Sequence, residues 1–298
     1  MITNYTLSEN QKILFIINPV SGTGKKKSIQ KLLEGQLKTS PVTFEIKYTE
    51  RAGHAIQIAK TAVKNNSHKV VVAVGGDGSV NEVCRGLVGS NLKLGIIPTG
   101  SGNGFARHLG IPLKFEDAVK TILKGSSIKV DTGQLGTENF VGVAGVGFDA
   151  HISKKFDEAT TRGFWTYFKL TLLEYFKYKE RNYSVKLDKQ DKIYKALILA
   201  FCNSSQWGNN AFISPNSKTD DGFLRMVVVR KIPLLSIPFF AFRLFNKSVH
   251  KSKYFEEIKL DFCSVSQSER LIHIDGEPLN YGNEFSIRVL PKSLTVIV

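Results

Sequence analysis

Hydrophobic and polar positions fall into two textures along the chain. Up to about residue 130, short apolar runs alternate with amphipathic stretches. Lys12–Asn18 is apolar and Ile-rich, a glycine turn follows it, and a Lys-rich helical stretch starts at Lys25. Val42–Tyr48 alternates with the period of a half-buried strand, and His54–Lys64 has helical spacing. Lys69–Val74 is a Val run that ends in glycines, Val80–Leu87 is helical again, and Leu94–Ile97 is one more short buried strand. Strand, turn and helix repeated in this way predict an α/β domain built on a parallel sheet with helices on both faces. Ligands of such sheets sit beyond the carboxyl ends of the strands.

After Val130 the runs become short and alternating: Glu138–Val143, Tyr194–Cys202, Phe223–Val229, Glu257–Phe262, Arg270–Ile274, Glu284–Val289 and Ser293–Val298. They predict an antiparallel domain, with one basic, aromatic, helical stretch at Phe164–Tyr183. The expected boundary is therefore near Val130. No internal repeat or low-complexity tract interrupts the pattern.

Composition narrows the function classes. In 298 residues, 41 Lys and Arg stand against 26 Asp and Glu, a net charge of +15. Such a charge seeks anions, whether nucleic acid, an anionic membrane surface or a phosphorylated ligand. The hydrophobic share of 42%, with 20 Phe, is ample for a core and excludes a disordered chain. Cys84, Cys202 and Cys263 are far apart and have no zinc spacing, so neither a disulfide framework nor a structural zinc site is expected. The first eleven residues lack a signal peptide's apolar stretch. Ile232–Phe245 is interrupted by Pro233, Pro238 and Arg243 and falls short of the ~20 residues that span a bilayer. A reduced, cytoplasmic protein is expected.

Three glycine-rich turns follow three strands of the first half. The first, Asn18-Pro19-Val20-Ser21-Gly22-Thr23-Gly24-Lys25, is not a Walker loop, because Pro19 stands where that motif requires glycine. Backbone amides between a strand and a helix start still cradle anions, although an ordinary turn reads the same way. The second, Gly75-Gly76-Asp77-Gly78-Ser79 followed by Asn81, surrounds one carboxylate with glycines, as close approach to phosphate and a magnesium ligand would require. The alternative is a strand-to-helix turn capped by Asp77. The third, Pro98-Thr99-Gly100-Ser101-Gly102-Asn103-Gly104, offers Ser101 and Asn103 to phosphate or ribose. Three such turns at one sheet edge describe a nucleotide site. A fourth run, Gly145-Val146-Gly147-Phe148-Asp149-Ala150, fits a dinucleotide fingerprint. It lies in the antiparallel half, however, and Leu170 stands about where the ribose-binding acid belongs.

Asn-Pro-x-Ser-Gly-x-Gly at 18–24, Gly-Gly-Asp-Gly-Ser at 75–79, Pro-x-Gly-Ser-Gly-Asn at 98–103 and Asp-Gly-Glu at 275–277 together resemble the diacylglycerol kinase catalytic family. That family includes bacterial lipid kinases and the sphingosine and ceramide kinases. Gly-Gly-Asp-Gly alone is shared with NAD kinases and phosphofructokinases; the four motifs in order cover nearly the whole chain. The resemblance implies an ATP site between an N-terminal α/β nucleotide-binding domain, residues 1–130, and a C-terminal antiparallel β-sandwich domain for the lipid, residues 131–283. The final strands near 284–298 would return to the first domain. It implies ATP contacts at Asn18, Pro19, Ser21, Gly22, Thr49, Gly75, Gly76, Asp77, Gly78, Ser79, Asn81 and Ser101, with Asn103 beside them. Glu277 matches the proposed proton acceptor, and Asp220-Asp221-Gly222 resembles a segment that holds structural magnesium in some bacterial members. Gly104 departs from the Asp of many bacterial relatives and is closer to the sphingosine kinase form, which leaves open whether diacylglycerol is the acceptor.

The activity so implied is Mg²⁺-dependent transfer of the ATP γ-phosphoryl group to a lipid hydroxyl, of diacylglycerol or a sphingoid-type lipid. The glycine turns would grip phosphate, Asp77 would help place Mg²⁺ and Glu277 would act as base. Asp275 would support the metal or orient Glu277. Taken as residues alone, Asp275-Gly276 is a hairpin turn. Ile232–Phe245, between Arg230-Lys231 and Asn246-Lys247, reads either as an interfacial segment inserting Phe239 and Phe240 at an anionic membrane, or as a buried helix. Phe164–Tyr183 poses the same choice. The expected partner is a membrane lipid met peripherally, without nucleic acid. Oligomeric state stays open, a homodimer included. A kinase for a soluble acceptor such as NAD and a non-catalytic nucleotide-binding protein are the alternatives.

Overall fold

The computed structural model describes residues 3–4, 12–19, 26–38, 40, 42–160, 164–188, 190–208 and 210–298. These form two compact units, Met1–Val130 with Lys292–Val298, and Asp131–Pro291. Ser21 and Gly22, with the rest of 20–25, lie outside the described residues.

The first unit runs β1 (Thr3–Asn4), β2 (Lys12–Ile17), α1 (Lys26–Leu37), β3 (Thr43–Tyr48), α2 (His54–Asn65), β4 (Val70–Gly75), α3 (Asp77–Leu87), β5 (Lys93–Pro98), α4 (Gly104–His108) and α5 (Phe115–Lys124). β2 pairs in parallel with β3 and β4, and β4 with β5. Every residue of β4 is buried, as a central parallel strand covered on both faces requires. Alternate residues Ile13, Phe15 and Ile17 of β2 and Val70, Val72 and Val74 of β4 join Leu33 of α1 and Ala118, Val119 and Ile122 of α5 in one apolar cluster. On α2 and α3 the helix backbones approach closely at Gly86, where a Cβ would stand 2.5 Å from that of Ala59.

β6 (Ser126–Leu135) carries the chain into the second unit. There follow β7 (Glu138–Phe140), β8 (Val143–Gly147), α6 (Phe148–Asp157), α7 (Phe164–Lys177), β9 (Arg181–Leu187), β10 (Gln190–Ala196), β11 (Ile198–Cys202), β12 (Gln206–Gly208), β13 (Ala211–Phe212), β14 (Leu224–Val229), α8 (Ile237–Phe245), β15 (Phe255–Leu260), β16 (Phe262–Ser266), β17 (Leu271–Ile274), β18 (Glu277–Asn280) and β19 (Glu284–Ile297). A six-stranded sheet in the order β15-β14-β11-β8-β17-β18 is antiparallel throughout. β10, β9, β16 and the first half of β19 form a second antiparallel layer. Inward residues of both sets, among them Val146, Phe201 and Met226 with Tyr183, Val185 and Ile287, make a common core. The fold class is therefore a parallel α/β unit followed by an antiparallel, sandwich-like one.

Several expected elements change shape. Glu284–Val289 and Ser293–Val298 are one 14-residue strand, β19, whose chain passes through Lys292 at a φ of 49°. Its end pairs in parallel with β5, Thr295 opposite Lys93. Tyr194–Cys202 splits at Leu197 because β10 pairs with β9, whereas β11 joins β8 and β14. Phe164–Tyr183 is helical as far as Lys177 and becomes strand at Arg181.

Candidate active site

In the first unit, the parallel registers Ile17 with Tyr48, Ile17 with Val74, and Gly75 with Pro98 bring 18–19, 49, 75–76 and 98–99 to one edge of the sheet. Backbone bonds continue across that edge. Asn18 N–H donates to Val74 O at 3.2 Å, Thr49 N–H to Ile17 O at 2.9 Å, and Thr99 N–H to Gly75 O at 2.9 Å. Gly76 and Gly100 meet backbone to backbone, since a Cβ on Gly100 would lie 2.5 Å from Gly76 Cα. Glycine is required there because no side chain fits between the turns.

Helix α3 starts at Asp77 with Gly76 as its N-cap, so the helix's positive end opens at this edge. Asp77 does not cap its own helix. Its Oδ1 accepts the Gly104 N–H at 2.6 Å and ties the second glycine turn to the third. Burial pushes its carboxyl above the ordinary range, against backbone amides of Gly104, Asn103 and Phe105 that favour the charged form. Asn103, in the left-handed region at φ 52°, accepts from Gly100 N–H at 3.1 Å and donates to Gly100 O at 2.7 Å. Its amide thus shapes the third turn from inside. Ser79, Asn81 and Thr49 are buried, Asn18, Pro19, Gly75's neighbour Gly76 and Asp77 are half-buried or at the rim, and Gly78 and Ser101 are exposed.

Three further side chains contribute here. Glu82 accepts Gly53 N–H at 2.9 Å and Ala55 N–H at 3.0 Å, so α3 holds the start of α2. Arg107 Nε donates to Gly102 O at 3.0 Å and braces the third turn. Thr99 Oγ1 is buried with no hydrogen-bond partner, an orphaned group within the third turn. Closely packed glycine turns, a helix N-terminus and an orphaned hydroxyl at one edge fit a nucleotide's phosphates. Mg²⁺ commonly binds through one or two carboxylates plus substrate phosphates, so Asp77 as a lone carboxylate fits an ion carried by the nucleotide.

The second unit holds the Asp-Gly-Glu run. Asp275 (φ 51°) and Gly276 (φ 86°) are the two central residues of a tight hairpin turn between β17 and β18, which gives the hairpin reading of this dipeptide its structural form. Asp275 accepts the N–H groups of Val141 at 3.0 Å, Gly142 at 2.7 Å and Val143 at 3.0 Å. Burial pushes its carboxyl up, again against the amides. A carboxylate engaged in this way fastens the turn. Engaged by three amides, it does not fit a metal ligand. Glu277 is the first residue of β18, half-buried and opposite Ile274.

Asp220 is exposed, and Asp221 is held by Arg225 at 2.7 Å and by Lys259 at 3.6 Å. Desolvation works against ionisation of Asp221, yet these cations, Arg225 foremost, keep its carboxyl below the ordinary range. Two cations on one carboxylate do not fit a structural Mg²⁺ site at 220–221, and no group of three or more metal-ligating acidic, His or Cys side chains occurs among the described residues.

Comparison with known proteins follows this division. The family described as "Diacylglycerol kinase catalytic domain" matches residues 12–135. The one described as "YegS C-terminal NAD kinase beta sandwich-like domain" matches 142–298, more than half of the chain. The chain belongs to the YegS–diacylglycerol kinase family. Similar members of this family include a Serratia proteamaculans protein named "Probable lipid kinase YegS-like", 28% identical over 289 residues, covering 94% of this chain and 92% of that one. A Staphylococcus carnosus protein named "Diacylglycerol kinase" is 29% identical over 232 residues, 74% of each chain. The fold matches the crystal structure of a Bacillus anthracis diacylglycerol kinase with a TM-score of 0.73 over 96% of each chain, at 22% identity.

Proposed function

We propose that this chain is an ATP-dependent lipid kinase that transfers the γ-phosphoryl group to the hydroxyl of a glycerolipid or sphingoid-type lipid. The observation that carries this reading is the convergence of glycine turns on one edge of the first unit, in a chain whose family members are named lipid and diacylglycerol kinases. Backbone amides of the turns and the start of α3 bind the phosphates. Asp77 holds the third turn against the second and would help hold the Mg²⁺ that ATP brings, a cation that would offset phosphate charge. The lipid oxygen bonds to the γ-phosphorus, the bond from that phosphorus to the β–γ bridging oxygen breaks, ADP leaves, and Glu277 takes the hydroxyl proton.

A membrane partner is supported by the surface of the second unit. Of 16 exposed large apolar side chains among the described residues, 11 lie on α7 or within Leu234–Phe245. Phe239, Phe242 and Phe245 of α8 are 73%, 65% and 51% exposed, and Phe240 is the one buried in the core. The stretch from Lys231 to Tyr254 contains Lys231, Arg243, Lys247, Lys251 and Lys253 and no acid. Apolar rings among cations fit an anionic bilayer surface, whereas a second copy of the same surface would meet like charge. No described helix is long and apolar enough to cross a membrane.

Incubation with γ-labelled ATP, Mg²⁺ and a total lipid extract should label a lipid, and excess chelator should stop it. A parallel arm with NAD tests a soluble acceptor. Label on NAD and on no lipid would overturn the proposal.

A further inference from the structure

The Gly145-to-Ala150 run takes no part in binding nucleotide in the reading above. β8 is flanked by antiparallel β11 and β17, so the run does not open a parallel dinucleotide unit. Gly147, at φ 97°, turns the chain into α6 and sets Asp149 in that helix's first turn. Asp149 Oδ1 accepts the Ala150 N–H at 2.9 Å, and its Oδ2 lies 2.8 Å from Nε2 of His273 on β17. Both side chains are nearly sealed from solvent, 4% and 3% exposed. Gly145 stands opposite His273 in the sheet, and a Cβ there would lie 2.9 Å from Asp149 Oδ2 and 3.0 Å from His273 Nε2. Glycine at 145 makes room for the pair.

The second ring nitrogen of His273 reaches the Asp-Gly-Glu turn. Gly276 N–H donates to His273 Nδ1 at 3.2 Å. A backbone N–H can only donate, so Nδ1 carries a lone pair and the ring proton sits on Nε2, given to Asp149. The turn is thus held twice, by Asp275 on the amides of 141–143 and by His273 on Gly276.

We propose that Asp149 and His273 are positioning residues for Glu277: Asp149 sets the His273 tautomer, and His273 Nδ1 fixes the turn from which Glu277 issues. The Gly-x-Gly-x-Asp run is then the support of the Asp-Gly-Glu turn. This inference rests on the lipid kinase reading and on Glu277 as its base.

Isosteric variants test it. In Asp149→Asn, the side-chain oxygen keeps the Ala150 N–H, which leaves the NH₂ group facing Nε2. The ring proton moves to Nδ1, donor against the donor of Gly276. We expect kcat to fall about tenfold or more with KM for ATP within about twofold, the size seen when a supporting partner is lost. His273→Asn places an oxygen near the Nδ1 position and keeps an acceptor for Gly276 without needing Asp149. It should hold kcat within about threefold, and adding Asp149→Asn to it should cost nothing further, a non-additivity that general destabilisation would not produce. ¹⁵N NMR of the imidazole should report the Nε2–H tautomer in wild type and its loss in Asp149→Asn, whether or not a lipid is phosphorylated. Wild-type kcat in Asp149→Asn, an undiminished loss in the His273→Asn background, or a protonated Nδ1 in wild type each overturns the inference. A wild-type protein that labels no lipid, or a fully active Glu277→Gln, sinks the functional reading instead, and the tautomer measurement still stands.

Discussion

Replacing Asp77 separates two things its carboxylate does. Asparagine can still accept the Gly104 N–H now bonded at 2.6 Å, but it carries no charge toward phosphate or metal. Asp77→Asn should therefore lose turnover by about 100-fold or more with a small change in thermal midpoint. Asp77→Ala should lose turnover and also lower the midpoint, because the third turn loses its tie. Equal midpoints for the two variants would remove the tie from the account. Glu45 offers a pH test away from this edge. The Lys12 ammonium, hydrogen-bonded at 2.7 Å and assisted by Lys47, holds its carboxyl down at about 2. A depressed carboxylate stabilises the fold above its unfolded value, about 4.5, and that contribution disappears as pH falls toward 2. The stability gap between wild type and Glu45→Gln should accordingly close as pH falls from 4.5 to 2; a gap that widens across that interval would contradict it. At this scale the motifs named the residues better than their duties. Nothing in the sequence places Asp275 beside 141–143, Asp77 beside Gly104 or Asp221 beside Arg225, and those contacts decide what each carboxylate can do.

Helix α8 turns the question of a buried or interfacial segment into one about single positions. Phe240 belongs to the apolar cluster with Val227, Ile232 and Val249, whereas Phe239 and Phe242 project from the other side. Phe239→Ser with Phe242→Ser should weaken binding to anionic vesicles and slow turnover of vesicle lipid, leaving a short-chain soluble analogue and the thermal midpoint nearly unchanged. Phe240→Ser should instead cost about 3 kcal/mol or more of stability and reduce both substrates together. Losses on both substrates in the double variant would sink the membrane surface. The elements themselves were legible where burial is one-sided or complete: β2, β4 and β5 are apolar runs because helices cover both faces. Helix α5 carried the signal in Phe115, Ala118, Val119 and Ile122, spaced i, i+3, i+4, i+7, yet lies in a stretch for which no element was expected. The split at Leu197 was not legible, since an apolar run looks the same whether it serves one sheet or two.

The chain as a whole has an order in space that differs from its order in sequence. Residues 131–291 lie between two pieces of the first unit, the second of which is only Lys292–Val298. Thr295 and Val296 lie along β5, and Val298 exchanges backbone hydrogen bonds with Ser126 at 2.7 and 2.9 Å. Consider a ribosome translating this message. Strand β5 is exposed to the cell about 200 residues before its neighbour is made, roughly 10–40 s at ~5–20 residues per second. During that interval the open side of an apolar strand is a template for any passing chain. The nascent first unit must therefore wait as an unfinished sheet, within reach of chaperones, while the inserted unit folds. A stop codon after Pro291 would make that waiting state permanent. The truncated product should be captured by chaperones or sediment with aggregates, although it retains every residue assigned above to phosphate binding or proton transfer.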